Sequence, residues 1–456
     1  MELVNLTRRV EIGANSYLLR TKGKSLILDS GLHPKFEGLA ATPDFSLVPE
    51  GSVDGIIVTH AHQDHVGSLP YLSRRERKAR VFLTPATAKI ADVMLHNSVN
   101  VMTRQAEDHK IENYPLFTHR EVESSRQSWQ QCAMGRRHDF KGERTTDDEE
   151  PSFEFFNSGH ILGAAGVMIR SEGKTLFYTG DVNFENQTLV RGADFPESGV
   201  DILVMETTRG DSPTPPGLTR AKEEERLAKS IREAFDRGGS VTIPVFALGK
   251  TQELLAMLWR MRLRGLLAPV PIYIGGLSTK LTNIYDALAQ DAQRTHPELQ
   301  ILQELAPYVL SGNEVFTITP RKKCIFALSS GMMTEKTLSN LFCRRVLGDE
   351  KQSLFFVGYS DPESPAGRIR AAAPGSEVLL ETGQAPIRLN CQIEEFNFSA
   401  HANRESLLNY AVGLRPKKIL LVHGDRAAIE WFQLKLYKEL PETEVIIPEP
   451  GQKIVL

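Results

Sequence analysis

Three histidines and one aspartate lie within six consecutive residues, His60-Ala61-His62-Gln63-Asp64-His65. They follow GIIVT, an apolar run typical of a buried strand, and the turn after a strand lets several side chains converge on one point. Imidazole nitrogens suit zinc, and a carboxylate oxygen suits a second, slightly harder position. The alternative is a polar turn with unrelated histidines, but histidine is scarce here, with 12 in 456 residues. The run therefore predicts a metal site.

Three further residues with metal-binding side chains stand at the ends of other strand-like runs. His160 closes SFEFFNSGH, Asp181 follows TLFYTG, and His423 follows KKILLV. A single histidine after a strand is more often a packed or solvent-facing residue, yet together with the first run these three favour a two-metal centre. Two cations would generate hydroxide near neutral pH and polarise the electrophile. Phosphodiesters, amides and thioesters all remain feasible substrates from these residues alone.

The elements that must position these residues form two kinds of region, one of short strands and one of strands alternating with helices. Short strand-like runs fill the first 60 residues and return after residue 150, where SEGK between two alternating runs predicts a hairpin. Residues 86–140 have helical character with no strand signal between them. From about residue 213, strands separated by helices predict a parallel α/β sheet of its own. The short-strand texture resumes after about residue 386, and His423 suggests that this last segment returns to the first domain.

Composition and charge set the class of protein. Apolar residues make up 41% and charged residues 24%, as in an ordinary globular protein, and the net charge of −3 gives no global reason to expect a nucleic-acid partner. The four scattered cysteines favour buried free thiols in a reducing cytoplasm. We found no signal peptide and no run of 18 apolar residues, so the sequence predicts a cytoplasmic location without a membrane span.

With these residues in hand, the chain resembles the metallo-β-lactamase superfamily and, within it, the β-CASP nucleases. The motifs that carry the resemblance occur in the family's order: LILDSG, the His60–His65 run, SGHILGAAG, YTGD, LVMETTRG, IPVFALGKTQELL, SSGMM, GYSDPESPAGR, FSAHAN and LVHGD. The resemblance implies an α/β fold of four αββα layers with an inserted α/β β-CASP domain. The expected domains are residues 1–206, the insert at 207–386, and a returning segment at 387–456.

The resemblance also implies the role of each site residue. One zinc is expected on His60, His62 and His160, the other on Asp64, His65 and His423, with Asp181 bridging them and Mn²⁺ as an alternative ion. Asp64 and Asp181 thereby count among the catalytic residues, and Asp29 is expected to support the metal-binding loop without touching metal. His401, held by Glu206, is expected to protonate the leaving oxygen, which suits imidazole near neutral pH.

Two further features concern the substrate. His423 stands where DNA-processing members of the family carry an apolar residue, and SGHILGAAG resembles the branch that contains the pre-mRNA 3′-end cleavage endonuclease and compact prokaryotic relatives. The expected activity is endonucleolytic cleavage of single-stranded RNA, leaving a 3′-hydroxyl and a 5′-phosphate. A DNA nuclease, an RNA exonuclease and an inactive RNA-processing scaffold are the alternatives, and family analogy allows a homodimer.

Substrate contacts are predicted in the second half of the chain. Ser330 and Gly331 could bind a phosphate through backbone N–H groups, although packing turns of the same composition are common. Arg368 lies in a family motif and is the best candidate for a phosphate contact among several basic clusters. The other clusters, which could equally be solvated faces, are at 321–323, 344–345, 370, 415 and 417–418.

Overall fold

The computed structural model describes residues 1–290, 293–318 and 322–456. Its strands are β1 (Glu2–Asn5), β2 (Tyr17–Thr21), β3 (Lys24–Leu28), β4 (Gly55–Ile57), β5 (Arg80–Leu83), β6 (Trp129–Gln131), β7 (Arg137–Asp139), β8 (Ser152–Asn157), β9 (Ala165–Ser171), β10 (Lys174–Tyr178), β11 (Ile202–Glu206), β12 (Val241–Pro244), β13 (Ile272–Gly275), β14 (Tyr308–Leu310), β15 (Ile325–Leu328), β16 (Ser353–Phe356), β17 (Glu377–Val378), β18 (Ile387–Arg388), β19 (Gln392–Glu395), β20 (Lys418–Val422), β21 (Glu444–Ile446) and β22 (Lys453–Val455). Its α-helices are α1 (Gln63–Val66), α2 (Leu69–Arg75), α3 (Pro85–His109), α4 (His119–Arg126), α5 (Arg220–Asp236), α6 (Lys250–Leu263), α7 (Gly276–Ala287), α8 (Ile301–Leu305), α9 (Glu314–Thr317), α10 (Leu338–Cys343), α11 (Pro365–Ala371), α12 (Arg404–Leu414) and α13 (Arg426–Glu439).

The chain folds into two compact units. The first comprises Met1–Asn186, Arg191–Thr214 and His401–Leu456, and the second comprises Gln187–Val190 and Pro215–Ala400. The domain limits predicted from the sequence, after residues 206 and 386, lie somewhat earlier in the chain and stay predictions. The pairing of β19 with β16 keeps the segment before His401 in the sheet of the second unit.

The first unit is a sandwich of two seven-stranded mixed sheets. One sheet has the order β22-β1-β2-β3-β4-β5-β6 and the other β21-β20-β11-β10-β9-β8-β7. Apolar side chains from both sheets form one core, in which Leu26 and Phe82 meet Phe153 and Val167. A second core, between the outer face of the second sheet and helices α12 and α13, contains Phe177, Leu203 and Phe432. Layers of helix and sheet of this kind are those expected for the metallo-β-lactamase fold.

Two features of the chain path build the second sheet. The hairpin predicted at SEGK is confirmed, because Ser171 pairs with Lys174 and the two residues between them have φ of +55° and +67°, as a tight hairpin turn requires. Strand β20 of the last segment pairs in parallel with β11 over its whole length. This pairing brings the end of β20, and therefore His423, beside the end of β11.

The expectation of uninterrupted helical character over residues 86–140 was wrong in part. Helix α3 ends at His109, where Lys110 takes a left-handed conformation, and α4 follows after a loop. Beyond α4 the chain forms two strands, since β6 pairs with β5 and β7 pairs with β8. Both are three-residue edge strands of mostly polar sequence, too short to show the alternation of apolar residues by which a strand is detected in a sequence.

The second unit is a parallel α/β layer, as the alternating texture predicted. Its six-stranded sheet has the order β14-β13-β15-β12-β16-β19, with every pairing parallel. From β12 the chain runs to β13, towards one edge of the sheet, and from β16 it runs to β19, at the opposite edge. A gap therefore opens between the ends of β12 and β16, where ligands characteristically bind in open parallel sheets.

Two expectations from composition can be compared with the structure. Cys132, Cys324, Cys343 and Cys391 are free and buried, which confirms the expectation of unpaired thiols. Among the residues that the structure describes, no helix combines the length and apolar character needed to cross a membrane.

Candidate metal centre

The candidate site lies in the first unit, where loops that follow strands of both sheets meet. The His60 run follows β4, and Asp181 follows β10 of the other sheet. The two loops approach closely at Gly180, where an added Cβ would lie 2.9 Å from Cβ of Thr59 and where φ is +52°. A backbone hydrogen bond from the Ala165 N–H to the Thr59 carbonyl, 3.0 Å long, joins the loop after β4 to the start of β9. The glycine is required because any side chain would separate the two sets of ligands.

Four of the predicted ligands form the first group, which is made of His60, His62, His160 and Asp181. Their ligand atoms all lie within 4.8 Å of one another. Nδ1 of His62 lies 3.1 Å from Nε2 of His60 and 3.0 Å from Nε2 of His160. Oδ2 of Asp181 lies 3.5 Å from Nε2 of both His60 and His160. Three imidazoles and a carboxylate oxygen thus face one point.

The second group contains Asp64, His65 and His423. Oδ2 of Asp64 lies 3.3 Å from Nε2 of His423. Oδ1 of Asp181, the other oxygen of the carboxylate that faces the first group, lies 3.3 Å from Nε2 of His65 and 3.2 Å from Nδ1 of His423. Asp181 therefore presents one oxygen to each group, which is the arrangement that a bridging carboxylate needs.

The charge states of His60, His62 and Asp181 suit metal binding. Burial, together with the neighbouring imidazoles, lowers the pKa of His60 well below its usual value, and burial lowers the pKa of His62 to about 4. Both rings are therefore neutral and offer lone pairs. Although burial raises the pKa of Asp181, His423, His65 and His60 hold it well below its usual value, so the carboxylate stays ionised.

The residues fit a pair of divalent metal ions. Oδ1 of Asp181 is buried without a hydrogen bond of acceptable geometry, although two imidazole nitrogens lie close to it. A buried polar atom that accepts no hydrogen bond costs free energy unless a cation satisfies it. Five histidines and two aspartates, with one aspartate shared, match the nitrogen and oxygen ligands that zinc takes.

Asp29 lies behind the candidate centre and contacts the loop that carries the His60 run, and its supporting role stays a prediction. Its carboxylate accepts hydrogen bonds from the Thr59 N–H at 2.8 Å, from Nδ1 of His65 at 2.7 Å and from the Tyr178 hydroxyl at 2.7 Å. Its φ of +61° is unusual for a residue other than glycine. The bond to Nδ1 leaves Nε2 of His65 directed at Asp181, so Asp29 orients a ligand without being one.

Sequence reasoning missed three polar residues that contact the predicted ligands or Asp29 behind them. The Tyr178 hydroxyl donates to Asp29, Nδ2 of Asn15 lies 3.2 Å from Nε2 of His65, and Oγ1 of Thr208 lies 3.0 Å from Nδ1 of His423. Tyr178 offered a signal, because it is a polar-tipped residue at the buried end of a strand, three positions before Asp181. Asn15 and Thr208 stand in ordinary turns and offered none.

His401 and Glu206 lie against the first group. Nδ1 of His401 lies 3.2 Å and 3.1 Å from the two carboxylate oxygens of Glu206, which is buried at the end of β11. The Glu206 carboxylate also accepts the Val182 N–H at 2.7 Å. Since a carboxylate only accepts, we assign the proton to Nδ1 of His401. Nε2 then faces Oδ2 of Asp181 at 3.9 Å, and the side chain is 22% exposed, so a substrate can reach it.

The predicted substrate contacts lie in the second unit. Oγ of Ser330 accepts the Thr334 N–H at 3.0 Å and so closes its own turn. The guanidinium of Arg368 donates to the carbonyls of Glu363 at 2.6 Å and Leu379 at 3.2 Å. Gly331 packs against Phe246, whose ring would lie 2.9 Å from an added Cβ. The role of Ser330, Gly331 and Arg368 in substrate binding stays a prediction.

The basic clusters are largely paired within the protein. Ion pairs join Arg344 to Glu381, Arg370 to Glu395, Lys417 to Asp201 and Lys418 to Glu444. Arg321, in the first cluster, lies outside the described residues. These pairs favour ordinary surface electrostatics at the clusters over a prepared track for phosphates.

The fold and the convergent histidines and aspartates are of the metallo-β-lactamase type. Three family models match successive parts of the chain. The metallo-beta-lactamase superfamily matches residues 9–82, the Beta-Casp domain residues 251–369, and the Zn-dependent metallo-hydrolase RNA specificity domain residues 386–448. The chain belongs to the metallo-β-lactamase superfamily and, within it, to the β-CASP family.

Known proteins similar to the chain agree with this assignment. Subunit 3 of the cleavage and polyadenylation specificity factor of Dictyostelium discoideum is 28% identical, over 100% of the chain and 57% of that protein. Subunit 3-I of the same factor in Arabidopsis thaliana is 29% identical, over 97% of the chain and 62% of that protein. Endoribonuclease YSH1 of Saccharomyces cerevisiae is 28% identical, over 91% of the chain and 53% of that protein.

The similarities cover only part of the relatives' length. The chain spans little more than half the length of the curated relatives, which are 57%, 62% and 53% covered. Two of them are named as subunits of a cleavage factor, which gives no support to the homodimer that family analogy allowed. Among solved structures, a protein of unknown function from Enterococcus faecalis V583 shares the fold, with a TM-score of 0.56 and 13% identity over 100% of both chains.

Proposed function

We propose that this protein is a metal-dependent endoribonuclease that hydrolyses phosphodiester bonds of single-stranded RNA. The observation that carries the proposal is the position of the His401–Glu206 pair beside the group formed by His60, His62, His160 and Asp181. A hydrolase that releases an alkoxide needs both an activated water and a proton donor, and the two features supply them side by side.

Two zinc ions, with Mn²⁺ as an alternative, would be held by His60, His62 and His160 and by Asp64, His65 and His423, with Asp181 between them. When bound, they would supply hydroxide near neutral pH and neutralise charge on the phosphodiester. The chain's own residues do the rest. Asp181 keeps both ligand groups together, and Asp29 fixes the direction of His65.

His401 acts as the proton donor in this proposal. Glu206 accepts a hydrogen bond from the Nδ1–H group and stabilises the protonated ring. Nε2 then delivers its proton to the leaving 3′-oxygen. The products are a 3′-hydroxyl and a 5′-phosphate. RNA as the substrate is supported by the description of the domain that matches residues 386–448, a segment that contains both His401 and His423.

A circular single-stranded RNA tests the proposal directly. Protein stripped with a chelator and restored with Zn²⁺ or Mn²⁺ is expected to linearise the circle, because an endonuclease needs no free end. The end groups of the product are then read by their reactivity with a phosphatase and a ligase. The chelated protein is the control.

The other outcomes each contradict the proposal in a different way. Degradation of linear RNA alone would indicate an exonuclease, and cleavage of a DNA circle but not the RNA circle would indicate a DNA nuclease. A fully metal-loaded protein that cleaves neither would be a scaffold.

A further inference from the structure

A pocket of about 250 Å³ lies in the second unit, at the ends of two neighbouring parallel strands. Pro244 to Phe246, at the end of β12, form one wall, and Phe356 to Ser360, at the end of β16, form another. This is the point where the connections leaving adjacent strands run to opposite sides of the sheet. Open parallel sheets bind ligands at such switch points, and neither the metal centre nor the assigned family roles account for this pocket.

The walls of the pocket are aromatic. Phe246 is 36% exposed and Tyr359 is 62% exposed, which is unusual for such large rings. Gly331 borders Phe246 so closely that an added Cβ would lie 2.9 Å from the ring, so only glycine leaves the ring in this position. Exposed aromatic rings beside a concave surface are the platforms on which single-stranded nucleic acids stack their bases.

The charge of the pocket suits a nucleotide strand. Among the described residues that line it, Lys250 is cationic and none is acidic. Lys250 donates a hydrogen bond to the carbonyl of Phe398, which holds its charge at the pocket wall. The pocket is open to solvent, so a flat ring can stack against its aromatic wall from outside.

We propose that this pocket is a base-stacking subsite, in which Phe246 and Tyr359 bind one nucleobase of the RNA strand. The inference rests on the proposed function, since it takes the strand to be RNA. Stacking uses the face of the base, so the subsite is tolerant of sequence and adds affinity without selecting a cleavage site. It also gives Gly331 a different role from the predicted phosphate contact, because the glycine makes room for the ring.

The test measures binding of a short single-stranded RNA to the full chain. Asp181→Asn prevents cleavage during the titration, and Tyr359→Ala, Phe246→Ala and Tyr359→Phe are made in that background. The two alanine variants are expected to weaken binding about five- to a hundredfold, the usual effect of removing one stacking ring, and Tyr359→Phe to bind as before. Tyr308→Ala is the matched control, because Tyr308 is 58% exposed on the edge strand β14 and does not line the pocket.

An abasic RNA separates stacking from contacts to the backbone. With an oligonucleotide of ribose phosphates without bases, Tyr359→Ala is expected to bind as well as the parent protein. The proposal is overturned if Tyr359→Ala binds base-containing RNA as tightly as Tyr308→Ala, or if its defect persists on the abasic strand. In either case a parent chain that still cleaves circular RNA leaves the proposed function intact, whereas a parent that neither binds nor cleaves RNA contradicts both. Thermal unfolding of each variant establishes that it is folded.

Discussion

Both units carry their candidate chemistry at the ends of strands, but they build it differently. In the first unit seven side chains from four segments converge, and five of the seven are buried. In the second unit the pocket after β12 and β16 is open and lined by exposed rings and glycine backbone. The first arrangement holds each side chain in a fixed position, whereas the second presents an accessible surface to a ligand.

The difference follows from what each kind of ligand demands. A metal ion needs several donor atoms at fixed distances, so each ligand is held in turn by residues such as Asp29 and Tyr178. A stacked base tolerates sliding over a ring and needs no such support. Substitutions in the first unit should therefore abolish a property, whereas those in the second should reduce one by degrees.

The largest effect is expected for Asp181→Ala. Because Asp181 faces both ligand groups, its loss should lower the content of both metal ions and reduce cleavage on the order of 10⁴-fold or more. Metal content by atomic emission and the rate of RNA cleavage are the measurements. A variant that keeps two metal ions per chain would contradict the bridging position.

His401→Ala should separate the chemistry from the metal. Its side chain contacts Glu206 and completes neither of the two groups of expected ligands, so metal content should be unchanged while kcat falls at least about a hundredfold. Glu206→Gln should produce a smaller fall of the same kind, because the amide cannot stabilise the protonated ring. Loss of metal from His401→Ala would show that this histidine is a ligand and not the proton donor.

Tyr178→Phe tests whether the support behind the centre matters. Burial and Asp29 raise the pKa of Tyr178 well above its usual value, so the hydroxyl always donates to the carboxylate that holds His65. Removing it should weaken the affinity for one of the two metal ions by about ten- to a hundredfold. Competition with a chelator measures this, and the absorption spectrum of the Co²⁺-loaded protein reports the altered ligand field.

The matched control for this variant is Tyr285→Phe, which removes a buried hydroxyl from the second unit, whereas the ligands lie in the first. If both variants lose stability alike and neither changes metal affinity, Tyr178 only packs.

The smallest effect is expected for Arg368→Lys. Its guanidinium braces the Glu363 and Leu379 carbonyls, and lysine keeps the charge but cannot bind both. We expect a loss of about 1 kcal/mol in the free energy of unfolding and less than a fivefold change in RNA affinity. Chemical denaturation and RNA titration measure the two. A large loss of RNA affinity with unchanged stability would restore the predicted phosphate contact and narrow the contrast between the units.

Much of the candidate site could be predicted because its ligands stand in local patterns. The His60 run, Asp181 and His423 all follow apolar runs, and a strand followed by a turn is visible in the sequence. The structure brings all seven predicted ligands together and sets His401 against Glu206. The edge strands β6 and β7 were missed because runs of three mostly polar residues form a strand only when a neighbouring strand offers its backbone.

By itself, the sequence determined which residues could bind metal, because ligand type and strand-end position are local properties. Only the tertiary structure decided how these residues are divided between the two groups of ligands. Asp181 reaches both groups because the loops of two sheets meet at Gly180, and no spacing along the chain records that approach. Likewise, the Arg368 guanidinium donates to a backbone carbonyl of its own unit, which the sequence does not record. Phe246 and Tyr359 share a pocket because β12 and β16 are neighbours in the sheet, although they lie far apart in the sequence.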